Sequence, residues 1–169
     1  VLWVVGMMNS LNMLDNMDGV ATIVSIVACF FVVMLNLAAS NTTGYPTVLS
    51  LGVLGALSGF LVYNFHPAKM FMGDTGSQFL GLFLAVMGIS HGWNTPTTVW
   101  IGEFPFSNFL VIALVFMLPL CDTATVVINR LRSGNSPFVG GKDHTTHHLY
   151  FKGLNEKKIT VLFFVLGFI

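Results

Sequence analysis

The sequence predicts an all-α protein, a polytopic transmembrane helix bundle, on three observations. Hydrophobic residues make up 54% of the 169 residues, and the mean hydropathy is +0.80. Several apolar runs approach the roughly 20 residues that a helix needs to cross a bilayer. Only 8% of the residues are charged, and nearly all of these lie between the apolar runs. A chain of this composition belongs in a membrane.

Four apolar runs are long enough for full spans, and two partial spans flank them. We expect full spans at about residues 19–39, 48–63, 76–91 and 106–128, and partial spans at 1–8 and 159–169. Residues 1–169 together form a single membrane domain. The first and last residues fall inside partial spans, so we expect a fragment that lacks the N-terminal helices of a longer protein.

The polar connections define the ends of these spans in order. Residues 9–18 carry a polar residue at every third position, which would place them on both sides of a helix, so we expect this segment to break or tighten. Gly19 opens the next span, and Pro67 ends the one after it. The span at 76–91 is short, so it extends into its N-terminal flank or tilts. The span at 106–128 contains Asp122.

The positions of the basic residues predict the orientation in the membrane. The connections 40–47 and 91–105 contain no Lys or Arg, and all the basic residues fall in the alternate connections. This is the distribution of the positive-inside rule. We therefore place the connections that hold Asp15, Asp74 and His147 on the cytoplasmic side of the cytoplasmic (inner) membrane. The basic residues are Lys69, Arg130, Arg132, Lys142, Lys152, Lys157 and Lys158.

Charge balance and cysteine positions exclude some classes of function. The formal net charge is zero, and the few basic residues cannot form a stripe that follows a phosphate backbone, so no nucleic-acid partner is expected. Cys29 and Cys121 lie in apolar runs, where a buried free thiol is favoured over a disulfide.

Two polar segments carry candidate catalytic and metal-binding residues. Asp15 and Asp18 are close enough to face one cleft, although Asp18 could instead cap the following helix. Asp74 stands beside Gly73 where the next helix opens, which suits a cation and a phosphate, although it too could be a helix cap. Phe71 would lie at the mouth of this site or serve as an aromatic residue of the membrane interface.

Two further features point to the same chemistry. A carboxylate inside a span needs a partner or a function, so Asp122 either pairs with a neighbouring helix or takes part in catalysis. Residues 130–148 combine basic residues, a glycine pair and three histidines, which suits a diphosphate clamp. The pattern His144-x-x-His147-His148 also resembles a zinc cluster, but hard oxygen ligands dominate elsewhere and favour magnesium.

Three motifs in this order resemble the polyprenyl-phosphate N-acetylhexosamine-1-phosphate transferases. This polytopic family includes the first membrane enzymes of peptidoglycan, O-antigen and teichoic-acid synthesis. Residues 9–21 resemble its second cytoplasmic motif, residues 64–77 its third, and residues 130–148 its histidine loop. The resemblance covers essentially the whole chain.

The resemblance implies a reaction and a role for each matching residue. The protein would transfer N-acetylhexosamine-1-phosphate, with N-acetylglucosamine favoured, from a UDP-sugar to a polyprenyl phosphate and release UMP. It implies a Mg²⁺ cofactor, with Mn²⁺ as an alternative, bound by Asp74 and Asp15. The catalytic residues would be Asp15, Asp18 and Asp74, and the substrate-binding residues Asn12, Asn64, Phe71, Arg130, His144, His147 and His148. The partners are the nucleotide sugar, the lipid and the bilayer, and a homodimer is left open.

Two departures from the family pattern and two rival functions remain. The family uses an adjacent acidic pair in an earlier loop, which these residues lack, so we expect the chain to be inactive alone. The loop also lacks the three consecutive histidines of the muramyl-pentapeptide branch.

The main alternative is a transporter that uses Asp122 and the loop acids as an ion path. A phosphotransferase with a CDP donor would need Ala-Arg where Ala21-Thr22 stands.

Overall fold

The structure is a computed structural model that describes residues 1–38, 44–93, 107–136 and 144–168. Some predictions fall on the other residues and lie outside this description. These residues include most of the two predicted outer connections, which contain Glu103, and the middle of the histidine loop, which contains Lys142 and Asp143.

The described residues form helices and contain no strand, which confirms the all-α prediction. The π-helical turn Gly88–Trp93 follows α4 directly. The α-helices of the described segments are α1 (Leu2–Leu14), α2 (Val20–Ala38), α3 (Tyr45–Asn64), α4 (Gly73–Met87), α5 (Ser107–Val115), α6 (Met117–Arg132), α7 (Thr145–Phe151) and α8 (Glu156–Leu166).

Two of these helices, α2 and α3, are each long and apolar enough to cross a membrane. A third crossing results if α5 and α6 are counted as one span, although they bend by 77° where they meet. Pro119 explains the bend: its ring clashes with the carbonyl of the residue four positions earlier, which is Val115, the last residue of α5. The number and limits of the membrane crossings stay a prediction.

The helix α1 packs most extensively against α4, and this contact forms the larger core. Met7 and Leu11 of α1 are buried against Leu80 and Leu84 of α4. The backbones approach closely at Gly81, where an added Cβ would lie only 2.6 Å from Met8 Cα. The absence of a side chain at this position therefore allows the two helices to touch.

A second core joins the start of α2 to α8. Val20 and Ile23 pack there with Ile159 and Phe163, and Leu14 closes the cluster from the end of α1. This core brings the end of α1 and the starts of α2 and α8 to the same end of the bundle.

The structure changes one expectation about the polar residues of α1 and one about the cysteines. The helix α1 continues through Asn9 and Asn12 and ends at Leu14, so the predicted break falls only at 15–19. The polar side chains are tolerated because they find partners: Ser10 Oγ donates to the Pro119 carbonyl at 2.9 Å. Cys29 is buried as expected, but Cys121 is exposed, because it lies on the outer face of α6. Both thiols are free.

Candidate functional site

The turn between α1 and α2 is the centre of the candidate site. The helix α1 ends at Leu14, and Gly19 adopts a positive φ of 75°, a conformation that residues with a side chain rarely take. A Cβ on Gly19 would also lie 3.3 Å from Thr160 Cγ2 and 3.5 Å from the Asn64 carbonyl oxygen. The glycine therefore lets the turn lie against both α3 and α8.

Asp15 and Asp74 come together where the end of α1 meets the start of α4. Asn12 Nδ2 donates to Asp74 Oδ1 at 3.0 Å and lies at 3.0 Å from Ser77 Oγ. Asp15 accepts a hydrogen bond from the Gly73 backbone N–H, and the charge of Asp74 acts on it. Asp74 lies in the first turn of α4, where the helix dipole favours negative charge.

The environment of Asp15 raises the pKa of its carboxyl from 3.8 to about 6. Burial is the largest cause, the Gly73 hydrogen bond opposes it, and the negative charge of Asp74 adds to it. Two carboxylates that repel each other in a partly buried place are suited to a divalent cation, which would neutralise both.

The raised pKa predicts how stability depends on pH in the absence of metal. Because the pKa of Asp15 is higher in the folded state than in the unfolded state, the folded protein binds this proton more tightly. The protonated Asp15 carboxyl therefore adds to the free energy of unfolding; this stabilisation is fully present below about pH 4 and is lost as the pH rises through about 6. Asp15→Asn should therefore raise the unfolding free energy at pH 7.5 in EDTA by about 1 kcal/mol, after discounting for solvent screening.

Chemical unfolding in detergent at pH 4 and pH 7.5 measures this effect, and the low-pH value is the internal control. The two proteins should unfold alike at pH 4. If Asp15→Asn destabilises the metal-free protein at pH 7.5, the carboxylate stabilises the fold and the prediction is wrong.

Asp18 has different partners from Asp15. Its Oδ2 atom lies 2.9 Å from His66 Nδ1 and accepts the Ala68 backbone N–H at 3.0 Å. The same His66 nitrogen lies 2.9 Å from Glu156 Oε2 at the start of α8. The Thr160 hydroxyl donates to the Asp18 carbonyl at 2.9 Å. Asp18 thus joins the turn to the 65–72 loop and to α8.

Asn64 anchors the 65–72 loop, which connects α3 to α4. The Thr22 hydroxyl donates to Asn64 Oδ1 at 2.6 Å, and Asn64 Nδ2 donates to the Met70 carbonyl at 2.9 Å. Both ends of this buried amide therefore bond to the protein itself. Phe71, next along the loop, is 74% exposed and available to contact a ligand.

Asp122 pairs with the histidine loop. Its Oδ2 atom lies 2.9 Å from His144 Nδ1, and its Oδ1 atom accepts the Thr145 backbone N–H at 2.9 Å. Both side chains are almost fully buried. Of the two alternatives for Asp122, the structure supports pairing with a neighbouring element. This pair fixes the start of α7 on α6.

Thr146, His147 and His148 of the histidine loop lie on α7. The Thr146 hydroxyl donates to Asn16 Oδ1 at 2.6 Å, which ties α7 to the central turn. The His147 ring is 6.1 Å from the His144 ring and stacks on Phe151 at 6.5 Å, while His148 is exposed. Arg130 is buried near the end of α6.

The turn at 15–19 and the end of α1, which belong to the first motif, thus contact both of the other segments that the motifs mark. Asn12 and Asp15 bond to the start of α4, Asp18 to the 65–72 loop, and Asn16 to α7. Sequence reasoning missed Asn16, Thr146 and Glu156. Asn16 and Thr146 stand inside the first motif and the histidine loop and could have been found there, whereas no local pattern marks Glu156.

The positions of the potential metal-binding side chains bear on both zinc and magnesium, the two metals that the sequence suggested. In the described part of the chain, the one group of three potential ligands within 4.8 Å is Asp18, His66 and Glu156, so the three histidines of the loop do not form a zinc cluster there. Asp15 and Asp74 offer carboxylate oxygen atoms, the ligands that Mg²⁺ prefers. These residues fit a magnesium ion.

Fold and site together define an all-helical membrane protein with a polar site where the helix ends meet. Residues 1–92 match the family model described as Glycosyl transferase family 4. That match covers more than half of the chain, and the protein belongs to this family.

Three relatives align with nearly the whole chain. A probable undecaprenyl-phosphate N-acetylglucosaminyl 1-phosphate transferase of Bacillus subtilis is 33% identical over 100% of the chain and 44% of its own length. A decaprenyl-phosphate N-acetylglucosaminephosphotransferase of Mycobacterium tuberculosis is 31% identical over 95% and 42%. A phospho-N-acetylmuramoyl-pentapeptide-transferase of Limosilactobacillus reuteri is 31% identical over 100% and 49%. The chain therefore spans less than half the length of these relatives.

Proposed function

We propose that the protein transfers N-acetylglucosamine-1-phosphate from UDP-N-acetylglucosamine to a polyprenyl phosphate and releases UMP at the cytoplasmic face of the membrane. The observation that carries this proposal is the convergence of the Asp15 and Asp74 carboxylates at the meeting of α1 and α4. The relatives' names, which describe transfer of an N-acetylglucosamine phosphate to a polyprenyl phosphate, give the substrates. Membership of a transferase family favours this function over the transporter alternative.

In the reaction, the polyprenyl phosphate displaces UMP from the sugar-linked phosphorus. An oxygen of the polyprenyl phosphate attacks the sugar-linked phosphorus, and the bond from this phosphorus to the bridging oxygen breaks, so that UMP leaves with that oxygen. Such a transfer depends on positioning and charge neutralisation. A Mg²⁺ ion bound by Asp15 and Asp74 would neutralise the charge of the diphosphate.

The residues of the chain itself position the substrates. Asn12 orients the Asp74 carboxylate through its 3.0 Å hydrogen bond. Exposed Phe71 offers a ring on which the uracil base can stack. Arg130 and the histidines at 144, 147 and 148 bind the phosphates in this proposal, with His144 oriented by Asp122. Asn64 contributes by holding the loop that carries Phe71.

The muramyl-pentapeptide nucleotide is the second candidate donor. The relative from Limosilactobacillus reuteri is almost as similar to the chain as the N-acetylglucosamine transferases are. The loop sequence His-Thr-Thr-His-His lacks three consecutive histidines and favours N-acetylglucosamine. An assay in which the two UDP-sugars compete as donors for one preparation of the protein decides which of them is the substrate.

The test is release of UMP from UDP-N-acetylglucosamine in the presence of a polyprenyl phosphate and Mg²⁺. We expect turnover from the chain joined to the N-terminal helices that the sequence predicts it to lack, and none from residues 1–169 alone. Release of UMP should stop in EDTA and resume with Mg²⁺ or Mn²⁺. A preparation with restored helices that binds neither donor nor lipid would contradict the proposal.

A further inference from the structure

The 65–72 loop depends on a contact with the last helix, which no motif marks. His66 lies between two carboxylates: its Nδ1 atom is 2.9 Å from Asp18 Oδ2 and 2.9 Å from Glu156 Oε2. These three side chains come from the central turn, the loop and the start of α8. All three are only partly exposed. We call this group the Asp18–His66–Glu156 clamp.

The charged and polar atoms that meet in the clamp are partners of one another. The His66 nitrogen is shared by both carboxylates, and Asp18 Oδ2 also accepts the Ala68 backbone N–H at 3.0 Å. Charge-assisted hydrogen bonds of this length are among the stronger polar contacts in proteins. A bound metal is therefore not needed to explain the arrangement.

The clamp lies between two other anchors of the same loop. At the start, the amide of Asn64 bonds to the Met70 carbonyl, and the Lys69 backbone N–H donates to the Tyr63 carbonyl at 2.7 Å. At the end, the chain enters α4, which carries Asp74 in its first turn. Without the clamp, the middle of the loop would lose its contacts with the central turn and α8, while its two ends would stay attached.

We propose that Glu156 and His66 are positioning residues, which hold the 65–72 loop against the central turn so that Phe71 stands in place for the nucleotide. This inference rests on the proposed function for the identity of the ligand. Neither residue needs to touch substrate. Asp18, which the sequence suggested as catalytic, is in this proposal the fixed end of the clamp.

A spin label on the loop tests the clamp without any need for turnover. The label is placed at Ala68→Cys, whose backbone N–H bonds to Asp18, in a Cys121→Ser background, since Cys121 is exposed and Cys29 is buried. The measurement uses the same extended protein as the assay of UMP release. Glu156→Ala should at least double the mobile fraction of the electron paramagnetic resonance spectrum. Glu156→Gln should restore most of the order, because its amide oxygen can occupy the place of Glu156 Oε2 beside His66 Nδ1.

The matched control is Lys157→Ala, the exposed neighbour of Glu156, which should leave the spectrum unchanged. His66→Gln should loosen the label, and adding Glu156→Ala to it should have little further effect, since both break the same contact. A spectrum that does not respond to Glu156→Ala would overturn the clamp, whatever reaction the protein performs.

Kinetics then link the clamp to Phe71. Glu156→Ala should raise the KM for the UDP-sugar about 10-fold and change kcat less than 3-fold, a magnitude consistent with the loss of one positioning contact. In a Phe71→Leu background, Glu156→Ala should add less than a 2-fold further change. Full additivity of the two effects would show that Glu156 acts elsewhere and would overturn the positioning role. An inactive wild-type protein with an ordered loop would instead count against the proposed function alone.

Discussion

Asp74→Asn should reduce UMP release about 1,000-fold or more, while the protein stays folded. The asparagine side chain keeps the size of aspartate and an oxygen that can accept the Asn12 hydrogen bond, which is 3.0 Å long in the structure. It lacks the negative charge that a divalent cation needs. Loss of metal-assisted charge neutralisation is expected to raise the barrier by about 4 kcal/mol.

Two measurements check this prediction. Turnover is followed as UMP release, and cation affinity is followed with Mn²⁺ by electron paramagnetic resonance. Ser58→Ala is the control, because the Ser58 hydroxyl is exposed on α3 and bonds only to the Leu54 carbonyl of its own helix. If Asp74→Asn keeps Mn²⁺ affinity and turnover within 10-fold of the unaltered protein, Asp74 is not a metal ligand.

Gly81→Ala should destabilise the protein by about 3 kcal/mol, the upper end of the usual effect of overpacking. The added Cβ would lie 2.6 Å from Met8 Cα and 2.8 Å from the Met7 carbonyl oxygen. Because both contacts are with backbone atoms, a rotamer change cannot relieve them, and α1 and α4 must separate. Asp15 directly follows α1 and Asp74 lies on α4, so activity should fall together with stability.

The matched control is Gly55→Ala on α3, where an added Cβ would meet nothing within 4 Å. This variant should be neutral or slightly more stable, since alanine favours a helix by up to about 1 kcal/mol over glycine. Unfolding in detergent measures both variants. Equal midpoints for Gly81→Ala and Gly55→Ala would mean that the two helices do not pack as closely as the structure has them.

The helices could be predicted from the sequence, but the bend between α5 and α6 was missed. The apolar run at 106–128 is continuous, so hydropathy alone indicates one straight span. Pro119 carried the information, because a proline inside a helix clashes with the carbonyl four positions before it and kinks or breaks the helix. Hydropathy averages over such a residue, whereas the backbone geometry does not.

The site was predicted in part, because local motifs identify residues but not their partners. Asp15 and Asp74 were both recognised by the glycines and polar residues near them, and the structure places them at the same helix junction. Asp18 stands only three residues after Asp15, yet it faces His66 and Glu156. The direction of each side chain depends on the positive φ of Gly19 and on the docking of α8, neither of which the motif contains.

The hydrogen bond from Thr160 to the Asp18 carbonyl joins residues that are 142 positions apart. A ribosome completes the central turn long before it adds α8, since chains grow from the N-terminus at about 5–20 residues per second. The nascent chain therefore spends several seconds without the contact that α8 makes with this turn. Final assembly of this end of the bundle must wait until translation has passed residue 160.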